Sequence, residues 1–203
     1  MKLAMCAVSA LLAGGSAARA DPLSSCAVSL ETKGDKGTTT GKVTALEGTP
    51  EQRDVHLDDG KTGLDFTLRA HVTPFTVGDT ITVSYTCGGW GHYCDARIDD
   101  AKGEPLILSM GQGGDALAAG WTSAHGKVLE ARQNPNSKNK SIERTYALVL
   151  SKGKVSATVT PGACVTIKDG QTTWFAGGSA HAWEGERPPE GVDYQMYALI
   201  RKR

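Results

Sequence analysis

Residues 79–87 have the sequence Asp-Thr-Ile-Thr-Val-Ser-Tyr-Thr-Cys, and this stretch is the clearest guide to the fold. Its apolar side chains, Ile81, Val83 and Tyr85, alternate with polar ones. Strict alternation puts the apolar side chains on one face of an extended strand and the polar ones on the other. The segment therefore predicts a β-strand with one face packed against a core.

Short stretches of strand-like sequence recur along most of the chain. Glycine-containing turns such as Asp59-Gly60 and Asp169-Gly170 separate them, because glycine adopts at no cost the positive φ that tight hairpin turns require. Residues 115–119 are the best helical candidate, and they cover a single turn. The pattern predicts an all-β fold, an antiparallel β-sandwich. Besides 79–87, strands are predicted at 26–32, 42–47, 53–58, 63–70, 104–109, 127–132, 143–150, 154–160, 163–168, 171–176 and 192–200.

The first 20 residues have the features of a signal peptide. Lys2 precedes an apolar run from 3 to 13, and residues 18–20 form an Ala-Arg-Ala cleavage pattern. That run is too short to span a bilayer, and the rest of the chain contains no apolar run of 18 or more residues. No transmembrane segment is therefore predicted. We therefore expect a mature all-β domain at 21–203 that is secreted or periplasmic.

The charge balance bears on the class of partner. The chain has 203 residues, with 22 basic against 22 acidic side chains. The leader contains two basic residues and no acidic one, so the mature chain of 183 residues has 20 basic against 22 acidic side chains. A slightly acidic chain is not a strongly basic nucleic-acid-binding protein, and no nucleic acid is expected as a partner.

Four cysteines remain after the leader: Cys26, Cys87, Cys94 and Cys164. An even number of cysteines in an exported chain predicts two disulfides. Of the three pairings, the short spacing favours Cys87–Cys94 across the base of a hairpin, which leaves Cys26–Cys164. No C-x2-C spacing of the kind used by zinc sites is present, and neither a metal nor another cofactor is predicted.

The six residues between Cys87 and Cys94 are Gly-Gly-Trp-Gly-His-Tyr. A disulfide below such a glycine-rich loop would reduce the entropy that the loop loses on binding. Aromatic side chains on a rigid loop suit a protein or a carbohydrate ligand, so Trp90, His92 and Tyr93 are predicted to form a ligand site. Alternatively, Trp90 folds back over the open end of the sandwich and belongs to the core.

A faint internal repeat adds two residues to this site. The repeat suggests a duplication into two similar β halves, 21–112 and 113–203. It would place His181 and Trp183 beside the loop as further ligand-binding residues. Splitting the chain this way leaves Cys164 alone in the second half, so one disulfide would join the halves. The recurring motifs are Gly-Lys-Val at 41–43 and 126–128, Val-Thr-Pro at 72–74 and 159–161, and Gly-Gly-x-x-His at 88–92 and 177–181.

No residue is predicted to be catalytic. The chain lacks a G-x-S-x-G nucleophile motif, an H-E-x-x-H zinc motif and a phosphate-binding glycine loop. The sequence therefore favours a non-catalytic binding module for a protein or carbohydrate ligand. The alternative is a secreted hydrolase or metal-dependent enzyme that uses His92 or His181 together with an acid and a hydroxyl or a metal.

Overall fold

The alternating stretch at 79–87 forms a strand, Thr80–Cys87, in which Ile81 and Val83 are fully buried. The computed structural model of the chain describes residues 26–87, 94–110, 118–133, 141–184 and 193–203. These residues form an all-β fold with thirteen strands, all paired antiparallel, as the sequence predicts. The strands are β1 Ser29–Glu31, β2 Lys36–Thr49, β3 Gln52–Asp58, β4 Leu64–Arg69, β5 Thr80–Cys87, β6 Cys94–Asp100, β7 Pro105–Met110, β8 Thr122–Gln133, β9 Ile142–Lys152, β10 Val155–Val159, β11 Val165–Asp169, β12 Thr172–Glu184 and β13 Asp193–Arg201.

Strand β6 was not predicted, although the other twelve were. Its sequence contains four charged residues among seven, which obscures the strand pattern. The structure shows that Cys94, Ala96 and Ile98 alternate inward and are buried, while the charged side chains between them face outward. Small and apolar residues at every second position are therefore sufficient here to bury one face of a strand.

Strands β1 to β7 form a sandwich because β2 belongs to two layers. Its first part, 36–42, pairs with β5, and its second part, 42–49, pairs with β3. A bulge between Val43 and Ala45 lies at the changeover, and bulges bend strands in this way. Strand β1 lies against β6 without pairing with it, so the two layers face each other. Between them lies a first core of apolar side chains, including Leu30, Leu68 and Ile98.

Strands β8 to β13 enclose a second core in a similar manner. Strand β9 pairs with β8 on one side and, on the other, with β12 and then β10. Strand β12 pairs with β11 over 172–176 and with β9 over 180–184. The second core contains Trp121, Leu148, Leu150 and Trp174.

Strands β7 and β13 form a wall that both cores share. Ile107 pairs in register with Ile200, and Leu108 pairs with Leu199. The two isoleucines belong to the first core and the two leucines to the second. Because successive side chains of a strand point to opposite faces, one pair of strands supplies both cores. The two halves therefore form one continuous ladder.

A disulfide also joins the two halves, as the cysteine arithmetic predicts. Cys26, just before β1, is bonded to Cys164, just before β11, and their Cα atoms are 5.0 Å apart. The ring of His71, in the β4–β5 connection, lies edge-on to Phe175 of β12 at 5.1 Å between centroids. The contact between the halves is therefore covalent as well as apolar.

The suggested duplication stays a prediction. Each half contains two antiparallel three-stranded meanders, but β2 and β5 link the first pair whereas β9 and β12 link the second. The motif at 177–181 lies within β12, not in a loop. Gly178 has a packing role there, since an added Cβ would lie 2.5 Å from the carbonyl oxygen of Met196.

The end of the chain is tied to the first half through Asp79. The backbone N–H of Thr76 donates to Asp79 Oδ2 at 2.8 Å, and the guanidinium of Arg203 forms an ion pair with the same carboxylate. Arg203 also donates to Thr76 Oγ1 at 3.3 Å. The backbone hydrogen bond from Thr76, and secondarily Arg203, lowers the pKa of Asp79 below its usual value of 3.8.

This lowered pKa predicts an acid-labile contribution to stability. The contribution of Asp79 is fully present above pH 3.8 and is lost as the pH falls through the lower pKa of the folded state. Asp79→Asn should therefore lower the free energy of unfolding at pH 7 and show a smaller relative loss at pH 2–3, measured by urea unfolding at several pH values. Asp65→Asn is the matched control, because it makes the same change at a carboxylate that is paired with His56 and not with Arg203. An unchanged difference between parent and Asp79→Asn from pH 7 to pH 2 would contradict the assignment.

Among the described residues, no helix has the length and apolarity needed to cross a membrane.

Candidate functional site

The predicted disulfide below the aromatic loop is present. Cys87 and Cys94 are register partners at the end of the β5–β6 ladder and are bonded to each other, with their Cα atoms 3.9 Å apart. The N–H of Cys87 also donates to the carbonyl of Asp35 at 2.6 Å, which fixes the base from the β2 side. Trp90, His92 and Tyr93 lie outside the described residues.

Four chain connections leave the sheet at the same end as this disulfide. Neighbouring strands are antiparallel, so the start of β6, the end of β7, the start of β13, the end of β12, the start of β9 and the end of β8 all lie towards the same end of the sheet. We call this the loop end. The residues next to these strand ends in the sequence, 88–93, 111–117, 134–140 and 185–192, lie outside the described residues.

His181 lies in β12 near the loop end. Its Nδ1 is 3.4 Å from Thr145 Oγ1 and 3.8 Å from Glu143 Oε1, both on β9. The His181 side chain is 19% exposed, so a ligand at this face has access to part of the ring. Trp183 lies two residues further along β12, opposite Glu143 in register, and its side chain lies outside the description.

His181 and the Cys87–Cys94 disulfide lie on one face of the sheet. In β12, Trp174, Ala176 and Ala180 point into the second core, so His181, an odd-numbered residue, points to the opposite face. This is the face that forms the first core further along the shared wall, and Cys94 belongs to that core. Strands β6, β7, β13 and β12 are neighbours in this order. Cys94 and His181 are therefore three strand spacings apart, which is about 14 Å measured perpendicular to the strands.

Met196 of β13 adds an apolar element to this face. It is two residues from Ala198 and four from Ile200, which belongs to the first core, so its side chain points to the same face as His181. It is 37% exposed. The described part of the candidate site therefore combines an imidazole, a hydroxyl, a carboxylate and an exposed thioether. Sequence reasoning missed Thr145, Glu143 and Met196, because strand pairing brings them together from distant positions.

The arrangement of His181 does not match a nucleophile–base–acid triad. In such a triad, one ring nitrogen faces the nucleophile and the other faces the acid. Here the Thr145 hydroxyl and the Glu143 carboxylate lie on the same nitrogen, Nδ1. The Thr145 hydroxyl and the Glu143 carboxylate therefore orient the imidazole from its Nδ1 side.

Two other tryptophans, Trp121 and Trp174, belong to the second core. Trp121 and Trp174 are 1% and 3% exposed and pack edge-to-face, with their ring centroids 6.3 Å apart. Trp174 therefore stabilises the second core, and it is not available at the surface with His181.

Comparison with known proteins found no matching family model, no matching curated protein and no matching solved structure.

Proposed function

We propose that the chain is a secreted or periplasmic binding module, with a ligand face at the loop end of the sheet. The observation that carries the proposal is the disulfide-clamped β5–β6 connection on the same end and face as His181. The clamp restrains a six-residue segment containing Trp90, His92 and Tyr93, which lowers the entropic cost of binding. Trp183, on β12, is the remaining residue that we propose for the ligand site.

The chemistry of this face suits a protein or a carbohydrate ligand. Tryptophan and tyrosine provide large contact areas with few rotatable bonds, and both are enriched at recognition surfaces. The imidazole of His181, next to Thr145 and Glu143, adds hydrogen-bonding groups at the edge of that area. We expect a non-catalytic role, because the Thr145 hydroxyl and the Glu143 carboxylate lie on the same nitrogen of His181. We expect export through the signal peptide predicted at 1–20 to bring the chain into an oxidising compartment, where disulfides form.

Trp90→Ala tests whether the loop is a recognition element. If Trp90 contacts a ligand and not the core, we expect the substitution to change the free energy of unfolding by less than about 0.5 kcal/mol. It should also abolish retention of the protein on a panel of insoluble polysaccharides or of immobilised cell-surface proteins to which the parent binds. The readouts are urea unfolding and depletion of the protein from solution.

Trp121→Ala is the matched control, because it makes the same change at a fully buried position. It should destabilise the fold strongly, by about 3–5 kcal/mol. If Trp90→Ala destabilises the fold to a similar extent, Trp90 is a core residue and the proposed site is wrong. Retention that is unaffected by Trp90→Ala would equally exclude the loop from the ligand face.

A further inference from the structure

A second cluster lies away from the loop end, at the Cys26–Cys164 disulfide. One ligand atom each from Cys26, His71 and Cys164 lies within 4.8 Å of the others. The three residues come from separate parts of the chain: before β1, after β4 and before β11. Folding therefore brings together three possible zinc ligands that do not have the spacing of a zinc site in the sequence.

We propose that, when this disulfide is reduced, Cys26, Cys164 and His71 bind a zinc ion. Two thiolates and an imidazole are donors that zinc prefers, and three protein ligands leave a fourth position for water. Cys26 is fully buried, whereas His71 and Cys164 are partly exposed. The fourth position is therefore expected on the solvent side, next to His71 and Cys164.

The distances are compatible with such a site. Two sulfurs bound tetrahedrally to zinc at about 2.3 Å lie about 3.8 Å apart. The Cα atoms of Cys26 and Cys164 are 5.0 Å apart, so rotation of the side chains can separate the sulfurs to this distance without moving the backbone. The imidazole is already within 4.8 Å of both sulfurs.

The surrounding structure holds the chain at Cys164 and His71 in place independently of the disulfide. The turn before Cys164 is closed by the N–H of Ala163, which donates to the carbonyl of Thr160 at 3.0 Å. The chain beside His71 is fixed by the N–H of Ala70, which donates to the carbonyl of Glu51 at 3.1 Å. The His71 ring packs against Phe175. These contacts do not involve the sulfur–sulfur bond, so two of the three ligands keep their supports when the disulfide opens.

The change from disulfide to metal site is a defined two-electron step. A dithiol reductant supplies two electrons and two protons, the sulfur–sulfur bond breaks, and the reductant becomes a disulfide. Zinc then displaces the two thiol protons as it binds the thiolates. The ion would replace the covalent connection between the two halves by a coordinate one.

The test uses the full chain with Cys6→Ala, Cys87→Ala and Cys94→Ala, so that Cys26 and Cys164 are the remaining cysteines. The protein is reduced with dithiothreitol, desalted without oxygen and titrated with zinc against a chromophoric chelator. We expect one zinc ion per chain and a higher midpoint of thermal unfolding. Cobalt in place of zinc should produce thiolate-to-metal charge-transfer absorption.

His71→Ala in the same background should weaken zinc binding by about tenfold or more, since loss of even an outer-shell partner has an effect of this size. His56→Ala is the matched control, because His56 pairs with Asp65 on the surface and should not affect binding. Equal affinity in the parent and His71→Ala, or in the folded and the urea-unfolded protein, would overturn the proposal. If the reduced protein unfolds without metal, recovery of the native circular dichroism spectrum on adding zinc supports the proposal, and failure to recover it refutes the proposal.

Discussion

Replacing Cys26 and Cys164 together by alanine should lower the free energy of unfolding by about 5 kcal/mol. The bond joins residues that are 138 positions apart. In the chain-entropy model, a disulfide stabilises the fold by restricting the unfolded chain, and the effect grows with the length of the closed loop. This bond closes a loop over more than half of the 203-residue chain, so its removal releases a correspondingly large amount of unfolded-state entropy. Urea unfolding of the double variant and the parent measures the difference.

The second disulfide provides the comparison for this prediction. Cys87 and Cys94 are seven positions apart, and the same model gives about 2.5 kcal/mol for their removal. Both double variants remove two sulfurs, so the difference between them reports loop length. If the double variant at Cys87 and Cys94 were the less stable of the two, loop closure would not be the dominant effect. Contacts in the native state at β5–β6 would then have to account for the result.

The strand content was predictable because alternation is a local property. Ile81 and Val83 follow the period of two that a half-buried strand requires, and both are buried in the structure. The cysteine pairing was also predictable, since a short ring between Cys87 and Cys94 leaves one partner for Cys26. Strand β6 was missed because its charged residues dominate the local composition, although Ile98 is fully buried.

The shared wall and the two clusters depend on long-range pairing. Nothing in the sequence near Ile107 shows that Leu108, the next residue, faces a different core. In the same way, Thr145 becomes a neighbour of His181 because β9 and β12 pair in one register. His71 meets the cysteines because the β4–β5 connection lies against the second half. Such neighbours follow from topology, which local patterns leave open.

The two proposed sites have separate physical bases. The loop-end site depends on the short disulfide and on the side chains around His181. The zinc site depends on the reduced thiols of Cys26 and Cys164 and on His71. His71 lies in the connection that precedes β5, whereas residues 88–93 come after β5 in the sequence. The double variant at Cys87 and Cys94 can therefore weaken ligand binding while it leaves zinc binding intact. His71→Ala should have the opposite pattern.

Trp121→Ala should be among the most destabilising single substitutions, with a loss of about 3–5 kcal/mol in the free energy of unfolding. Trp121 is one of the largest fully buried side chains, and its ring packs edge-to-face on Trp174. Lys152 Nζ also lies 6.0 Å from the Trp121 ring centroid and forms an ion pair with Asp169 at 2.9 Å. Alanine would leave a large cavity between these groups, and the surrounding strands can close only part of it.

Trp121→Phe separates ring packing from hydrogen bonding. The indole N–H of Trp121 has no hydrogen-bond acceptor within the described parts of the chain, so phenylalanine loses volume but no such bond. Its cost should be clearly smaller than that of alanine. A cost equal to that of alanine would show that the N–H has a partner and that packing is the minor contribution.

The strands that both cores share, β7 and β13, lead to a further prediction for Trp121→Ala. Because Ile107 and Leu108 serve different cores from the same strand, damage to the second core should be transmitted to the first. Both Trp121→Ala and Ile98→Ala, a first-core control, should therefore shift one common unfolding transition, followed by circular dichroism and by tryptophan fluorescence. Two separate transitions in Trp121→Ala would mean that the halves unfold independently, and that β7 and β13 form an interface between two domains instead of a wall within one.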